Sequence, residues 1–149
     1  MLAESEEDTM RSDEDWYPGH LRELSETECR ELLTEHRVGR VAWEAGDGQG
    51  PVVLPVNYRF DGEHVIFRTS PHSVLARSFR RGPKSFQIDD HDNYNQSGWS
   101  VLVRGDSEVL EWDDLPDDAD RPTPWVEGNR NVYVRITPAS ISGRRVLPA

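Results

Sequence analysis

The segment from Val52 to Arg81, VVLPVNYRFDGEHVIFRTSPHSVLARSFRR, restricts the possible folds more than any other part of the chain. Val52, Val53, Leu54, Val56, Tyr58 and Phe60 are the β-branched and aromatic types that suit a pleated, half-buried strand. Asp61-Gly62 is a hairpin turn pair, and Val65, Ile66 and Phe67 begin a return strand. That strand runs into Arg68-Thr69-Ser70-Pro71. There Ser70 can accept from the orphan N–H groups of a helix as its N-cap, and Pro71 loses no needed donor at the first helical position. The expected unit is therefore an antiparallel hairpin that feeds directly into a helix, which Gly82-Pro83 closes.

A helix start flanked by Arg68, Thr69, Ser70 and Ser73 suits a phosphate, because free N–H groups and the positive end of the helix dipole meet hydroxyls and a cation there. From Arg68 to Lys84 the charges are Arg68, Arg77, Arg80, Arg81 and Lys84, with no acidic residue, in a chain whose net charge is −11. Serine before proline also opens many ordinary helices, and an arginine-rich helix face is commonly just solvated. The local pattern by itself allows both an anion site and a plain cap.

The apolar fraction, 35% of 149 residues, is low for a globular protein, and the deficit is uneven. Residues 1–19 carry Glu4, Glu6, Glu7, Asp8, Asp13, Glu14 and Asp15 against Arg11, and read as an acidic, disordered tail. A second acidic run lies between Asp106 and Asp120. The folding domain is placed at residues 20–147, enough for one modest core that a homodimer interface would supplement. No apolar run is long enough to span a membrane, and the acidic N-terminus lacks the order of a signal peptide, so a soluble cytoplasmic protein is expected. The negative balance argues against nucleic-acid binding. Cys29 is alone, so no disulfide framework or thiolate metal cage is available.

Elsewhere, Ser25 and Glu28 form a capping-box signature, with Leu24 placed to staple onto Cys29 and Leu32-Leu33 extending the apolar stripe to Glu35 or His36. Val38, Val41 and Trp43 begin a strand, and Lys84 to Asp89 alternates as another. The stretch from Asp90 to Ser97 reads as a polar loop. Trp99 to Trp112 is a long strand with a bulge or bend at Gly105. An Asp- and Pro-rich loop carrying Trp125 leads to a strand over Asn131 to Ile136. Pro138 is expected to end that strand, with one more short strand over Ile141 to Arg145. About six strands joined mainly by hairpins, with two short helices, predict a mostly β fold, an antiparallel sheet closed into a barrel.

The series Leu32-Leu33, Val38-Gly39-Arg40-Val41-Ala42, Pro55-Val56-Asn57-Tyr58 and Val65-Ile66-Phe67-Arg68-Thr69 resembles the pyridoxamine 5′-phosphate oxidase-like flavoproteins. So do Phe86-Gln87-Ile88-Asp89, Gly98 to Gly105 and the terminal Ile136-Thr137-Pro138 with Ile141 to Arg145. The resemblance covers roughly residues 20–147. It implies a six-stranded antiparallel split β-barrel of the FMN-binding type, assembled as a homodimer, with FMN or in some branches a deazaflavin between protomers. It further implies that Arg68, Thr69, Ser70 and Ser73 hold the cofactor phosphate and that Pro55, Val56 and Asn57 lie along the ring through their backbone. Many relatives carry lysine directly after the serine that matches Ser73. Here that residue is Val74, so Arg77 or Arg80 would have to supply the charge, as arginine can. The implied activity is an FMN- or deazaflavin-dependent oxidoreductase acting on a small-molecule substrate that the sequence does not specify. The alternative is a non-catalytic protein of the same fold that binds flavin, deazaflavin or haem, or a chain without cofactor.

Other residues carry less. Asp89, Asp90, His91 and Asp92 are adjacent in a loop and cannot all face one ion, so a solvated turn is expected rather than a metal site. His36, His64 and His72 are scattered, and His72, just inside the phosphate helix, reads as an exposed helix residue. Trp99 fits a core position. Trp125 could cover a flat ring or pack on a partner protomer. No Ser/His/Asp or Cys/His arrangement suggests nucleophilic catalysis, and Cys29 belongs on the buried face of its helix.

Overall fold

A computed structural model describes residues 19–70, 74–79, 81–110, 117, 121–123 and 132–148. Ser73, Arg80 and Trp125, the helix start at Pro71-His72, the tail over 1–18 and most of the second acidic run lie outside the described residues. The elements run β1 (His20–Glu23), α1 (Glu26–Glu35), β2 (Val38–Glu44), β3 (Pro51–Phe60), β4 (Val65–Thr69), α2 (Val74–Ser78), β5 (Pro83–Asp92), β6 (Ser97–Val109) and β7 (Val132–Leu147). All strand pairings are antiparallel, in the order β1-β7-β4-β3-β2-β5-β6, and a further β6–β7 ladder closes β2 to β7 into a barrel. The expected barrel is thus present, with β1 added outside it on the end of β7, from His20↔Leu147 to Glu23↔Arg144.

Alternation places one face of each strand inside the ring. Val41 and Trp43, Tyr58 and Phe60, Val65 and Phe67, Phe86 and Ile88, Val101 and Val103, and Val134 and Ile136 form one buried cluster. One end of the cluster is covered by α1, whose Cys29 and Leu33 are fully buried. The capping box forms as its sequence signature requires: Glu28 N–H donates to Ser25 Oγ at 3.1 Å, and Ser25 N–H to Glu28 Oε1 at 3.2 Å. Leu24 and Cys29 meet over Gly143, where a Cβ would stand 2.8 Å from Cys29 Sγ and 3.1 Å from Leu24 Cδ1. At the other end Phe79, fully buried just after α2, packs edge-on against Trp43 and Phe67 with ring centroids at 5.2 and 5.5 Å. Ser107 Oγ donates to Phe79 O at 3.0 Å and ties that segment to β6.

Three local expectations are corrected. The hairpin closes on Asp61 and His64 (Asp61 N–H to His64 O, 3.2 Å), so Gly62-Glu63 is its central pair, with Gly62 at φ 99° in the position that a type II′ turn reserves for glycine. Asp61 instead caps the turn, its Oδ1 accepting from the Glu63 and His64 N–H groups. The polar stretch after Asp89 is half strand: Asp90 to Asp92 pair with Trp99 to Ser97, and 93–96 turn. Polar side chains are compatible with a strand end that has no core beneath it, which is why composition misread it. Finally, Pro138 does not end β7. The β6–β7 register shifts by one between Arg104 and Gly105, leaving Ala139 as the extra residue, and a bulge is where a strand tolerates proline. Gly105 allows this close crossing, because a Cβ there would stand 2.8 Å from Thr137 C and closer still to its oxygen.

Candidate site at the seam between β3 and β4

β3 changes partner along its length. Its first part pairs with β2, from Glu44↔Pro51 to Val38↔Asn57, and its last three residues pair with β4, from Tyr58↔Phe67 to Phe60↔Val65. β4 meanwhile stays on β7 as far as Thr69↔Val132. Past Tyr58↔Phe67, β3 and β4 therefore follow different neighbours and open a seam. Continuing the register places Asn57, Val56 and Pro55 on one lip and Arg68, Thr69 and Ser70 on the other. Six residues singled out from the sequence thus flank the point where β3 and β4 part.

Alternation sorts their side chains. Val56 packs partly against the core and Thr69 is buried, both on the inner side with Tyr58 and Phe67. Pro55, Asn57, Arg68 and Ser70 belong to the outer side. The Arg68 guanidinium lies over the Tyr133 ring, 4.9 Å from its centroid, because Arg68 and Tyr133 are cross-strand partners. Such stacking fixes the guanidinium plane. Tyr133 was not identified from the sequence, since only the β4–β7 pairing, between strands far apart in the chain, brings it to Arg68.

The floor of the seam is rigid. Gly39 pairs with Val56, and the Phe86 ring passes over Gly39 where a side chain would be. Phe86 meets Tyr58 edge-on at 4.7 Å, and the Tyr58 hydroxyl donates to Leu33 O at 2.7 Å. Burial pushes the Tyr58 phenol well above its ordinary range, so it stays a neutral donor. Arg77 stands exposed in the last turn of α2. Trp99 is core, as expected, edge-on to His36 at 4.8 Å. Among the described residues no three His, Cys, Asp or Glu side chains are placed to hold a metal ion. Asp89 bonds Arg40 and Gln87 instead, at 3.2 and 2.9 Å.

The donor set fits a flavin phosphate. On the outer side Arg68, Ser70 and Asn57 offer a guanidinium, a hydroxyl and a carboxamide, and no carboxylate belongs to either lip; the Thr69 hydroxyl, expected from the sequence to join them, is buried on the inner side.

The sequence profile of pyridoxamine 5′-phosphate oxidase matches residues 25–145, and the chain belongs to that family. An FAD-binding protein from Mesorhizobium loti is 31% identical and superimposes with a TM-score of 0.65, over 86% of this chain and 98% of that one. The FAD-binding protein from Mycobacterium smegmatis is 28% identical, with a TM-score of 0.64 over 85% of this chain and 98% of that one. An uncharacterized protein of Mycobacterium tuberculosis is 28% identical over 131 residues, which cover 84% of this chain and 85% of its own.

Proposed function

We propose that this chain holds a flavin nucleotide at the β3–β4 seam and serves as a flavin-dependent oxidoreductase for a small-molecule substrate. The observation that carries this reading is the change of partner along β3, which gathers Pro55–Asn57 and Arg68–Ser70 at one opening. Arg68 and Ser70, on the outer side, hold the phosphate nearest the flavin, which FMN and FAD share. The Pro55–Asn57 backbone lies along the ring system. The bound flavin supplies the redox chemistry; the chain orients it on a rigid floor and limits access of water. FAD is the cofactor named for two solved relatives, so the longer nucleotide stands beside FMN as a candidate.

A second copy completes this reading. Val53 and Leu54, at the first part of β3, are 59% and 42% exposed, and Leu102 on β6 is 38% exposed. Exposed apolar side chains of this kind are what an isologous interface between protomers would cover. The absorbance spectrum of the purified protein tests the proposal, followed by chromatography of the released cofactor. The expected result is the pair of flavin bands with FMN or FAD released. A featureless visible spectrum that stays so after incubation with both nucleotides would refute it.

A further inference from the structure

Two outward side chains are buried without belonging to the core. Val65, Phe67, Val134 and Ile136 point inward and join the core cluster, so alternation turns Ile66, Arg68, Tyr133 and Arg135 outward. Yet Ile66 and Tyr133 are only 2% and 6% exposed, and neither is in that cluster. They make a thin second layer on the outside of the β4–β7 ladder, where Ile66 is the cross-strand partner of Arg135 and Tyr133 that of Arg68.

The two arginines of this layer are held in different ways. Arg135 donates from Nε and Nη2 to Glu108 Oε1, so its charge is answered by a carboxylate. Arg68 lies over a ring, its guanidinium 4.9 Å from the Tyr133 centroid. The donors of a guanidinium all lie in its plane, so a ring against its face takes none of them and leaves the charge in place. The ring is itself held from both sides. Tyr133 pairs with Arg68 of β4, and its carbonyl accepts from Leu110 N–H at 2.9 Å just past the end of β6. A cation directed by a ring on a rigid ladder is suited to a ligand that needs both the charge and the in-plane fork, which a phosphate does.

We infer that Tyr133 is a positioning residue that makes the seam select a phosphorylated flavin over riboflavin, acting through Arg68. This rests on the flavin reading above. The test titrates FMN and riboflavin into the cofactor-free full chain, Tyr133→Phe, Tyr133→Leu, Arg68→Ala and the variant carrying both Arg68→Ala and Tyr133→Leu, followed by flavin fluorescence. The wild type should prefer FMN, and Tyr133→Phe should keep that preference because the ring remains. Tyr133→Leu should weaken FMN roughly fivefold or more, as loss of a desolvated cation–π contact implies, and leave riboflavin within about twofold. In the Arg68→Ala background it should have no further effect on FMN, because the two side chains act as one unit.

Equal weakening of both flavins by Tyr133→Leu would show a purely structural role and overturn the inference. So would an unchanged FMN affinity, a loss in Tyr133→Phe as large as in Tyr133→Leu, or effects of the two substitutions that multiply. If Arg68→Ala weakens FMN and Tyr133→Leu does not, this inference alone fails; a wild type that binds neither flavin ends the flavin reading with it. Should Tyr133→Leu not fold, the wild type decides. Its Arg68 Nε–H resonance, identified by its loss in Arg68→Lys, should lie upfield in the ring current of Tyr133 and move with FMN but not with riboflavin. A resonance at the ordinary arginine position, or one that both flavins move equally, would overturn the inference.

Discussion

Replacing Gly39 by alanine tests whether the floor of the seam is as rigid as its packing implies. The new Cβ would stand 2.6 Å from Phe86 Cε2 and closer still to Cζ, whereas carbon atoms in contact sit about 3.5–4.0 Å apart. The ring must therefore withdraw by roughly 1 Å or more. It has little room, being fully buried and edge-on to Tyr58, itself anchored to Leu33. Overpacking of this kind costs about 1–3 kcal/mol, and loss of the aromatic edge contact adds about 0.5–1.5 kcal/mol. Gly39→Ala should thus destabilise the fold by roughly 0.5–4 kcal/mol, after the small gain from removing a strand glycine is subtracted. Phe86→Leu alone should cost about 1–2 kcal/mol by leaving space, and that space is the one the alanine methyl needs. The double variant should therefore be more stable than the sum of the single effects predicts, by about 1–3 kcal/mol. Urea unfolding of the four proteins at constant m measures this directly. If the two effects add within about 0.5 kcal/mol, or Gly39→Ala is neutral, Phe86 does not occupy the glycine's space and the floor is not built as described.

Three further outcomes are expected. Ser25→Ala should lower stability by about 1 kcal/mol through loss of the α1 cap, read as a lower urea midpoint. Arg22 beside Glu28, with the Ser25 N–H, holds the Glu28 carboxyl at about 2, below its ordinary value, so its contribution is present above the ordinary carboxylate range and lost as pH falls toward 2. Glu28→Gln should therefore flatten the acid limb of the stability–pH curve measured by thermal melting, and an unchanged limb would contradict the pairing. Phe79→Ala removes the stopper between Trp43 and Phe67 and should cost about 3–5 kcal/mol, a loss that a urea midpoint close to that of the wild type would refute.

The barrel was legible in the sequence because its strands alternate cleanly and its turns are marked by glycine, aspartate and proline. The lips of the seam were legible as segments for the same reason: Pro55–Asn57 lie within the first strand of a recognisable hairpin and Arg68–Ser70 at the end of its second. What was not legible depends on pairing between distant strands. Nothing near Tyr133 announces Arg68 above it, and nothing near Gly39 announces the Phe86 ring. Pro138 misled because a proline normally ends a strand, and only the partner strand's register creates the bulge that accommodates it. Asp90, His91 and Asp92 misled because composition reports solvent exposure and not hydrogen bonding. β1 escaped notice because four exposed residues carry no alternation; it exists because the end of β7 offers an edge to pair with.

The central claim, a flavin phosphate held at the β3–β4 seam, is tested most directly by titrating FMN into the cofactor-free protein and into Arg68→Ala, followed by flavin fluorescence. Removing one charged contact should cost on the order of 1.5–3 kcal/mol, so Arg68→Ala should bind FMN roughly tenfold or more weakly. Val74→Lys, which adds a positive charge at the start of α2, should tighten binding in the same assay. Tight FMN binding that neither substitution changes would show that the phosphate lies elsewhere and that the seam is only a division in the barrel wall.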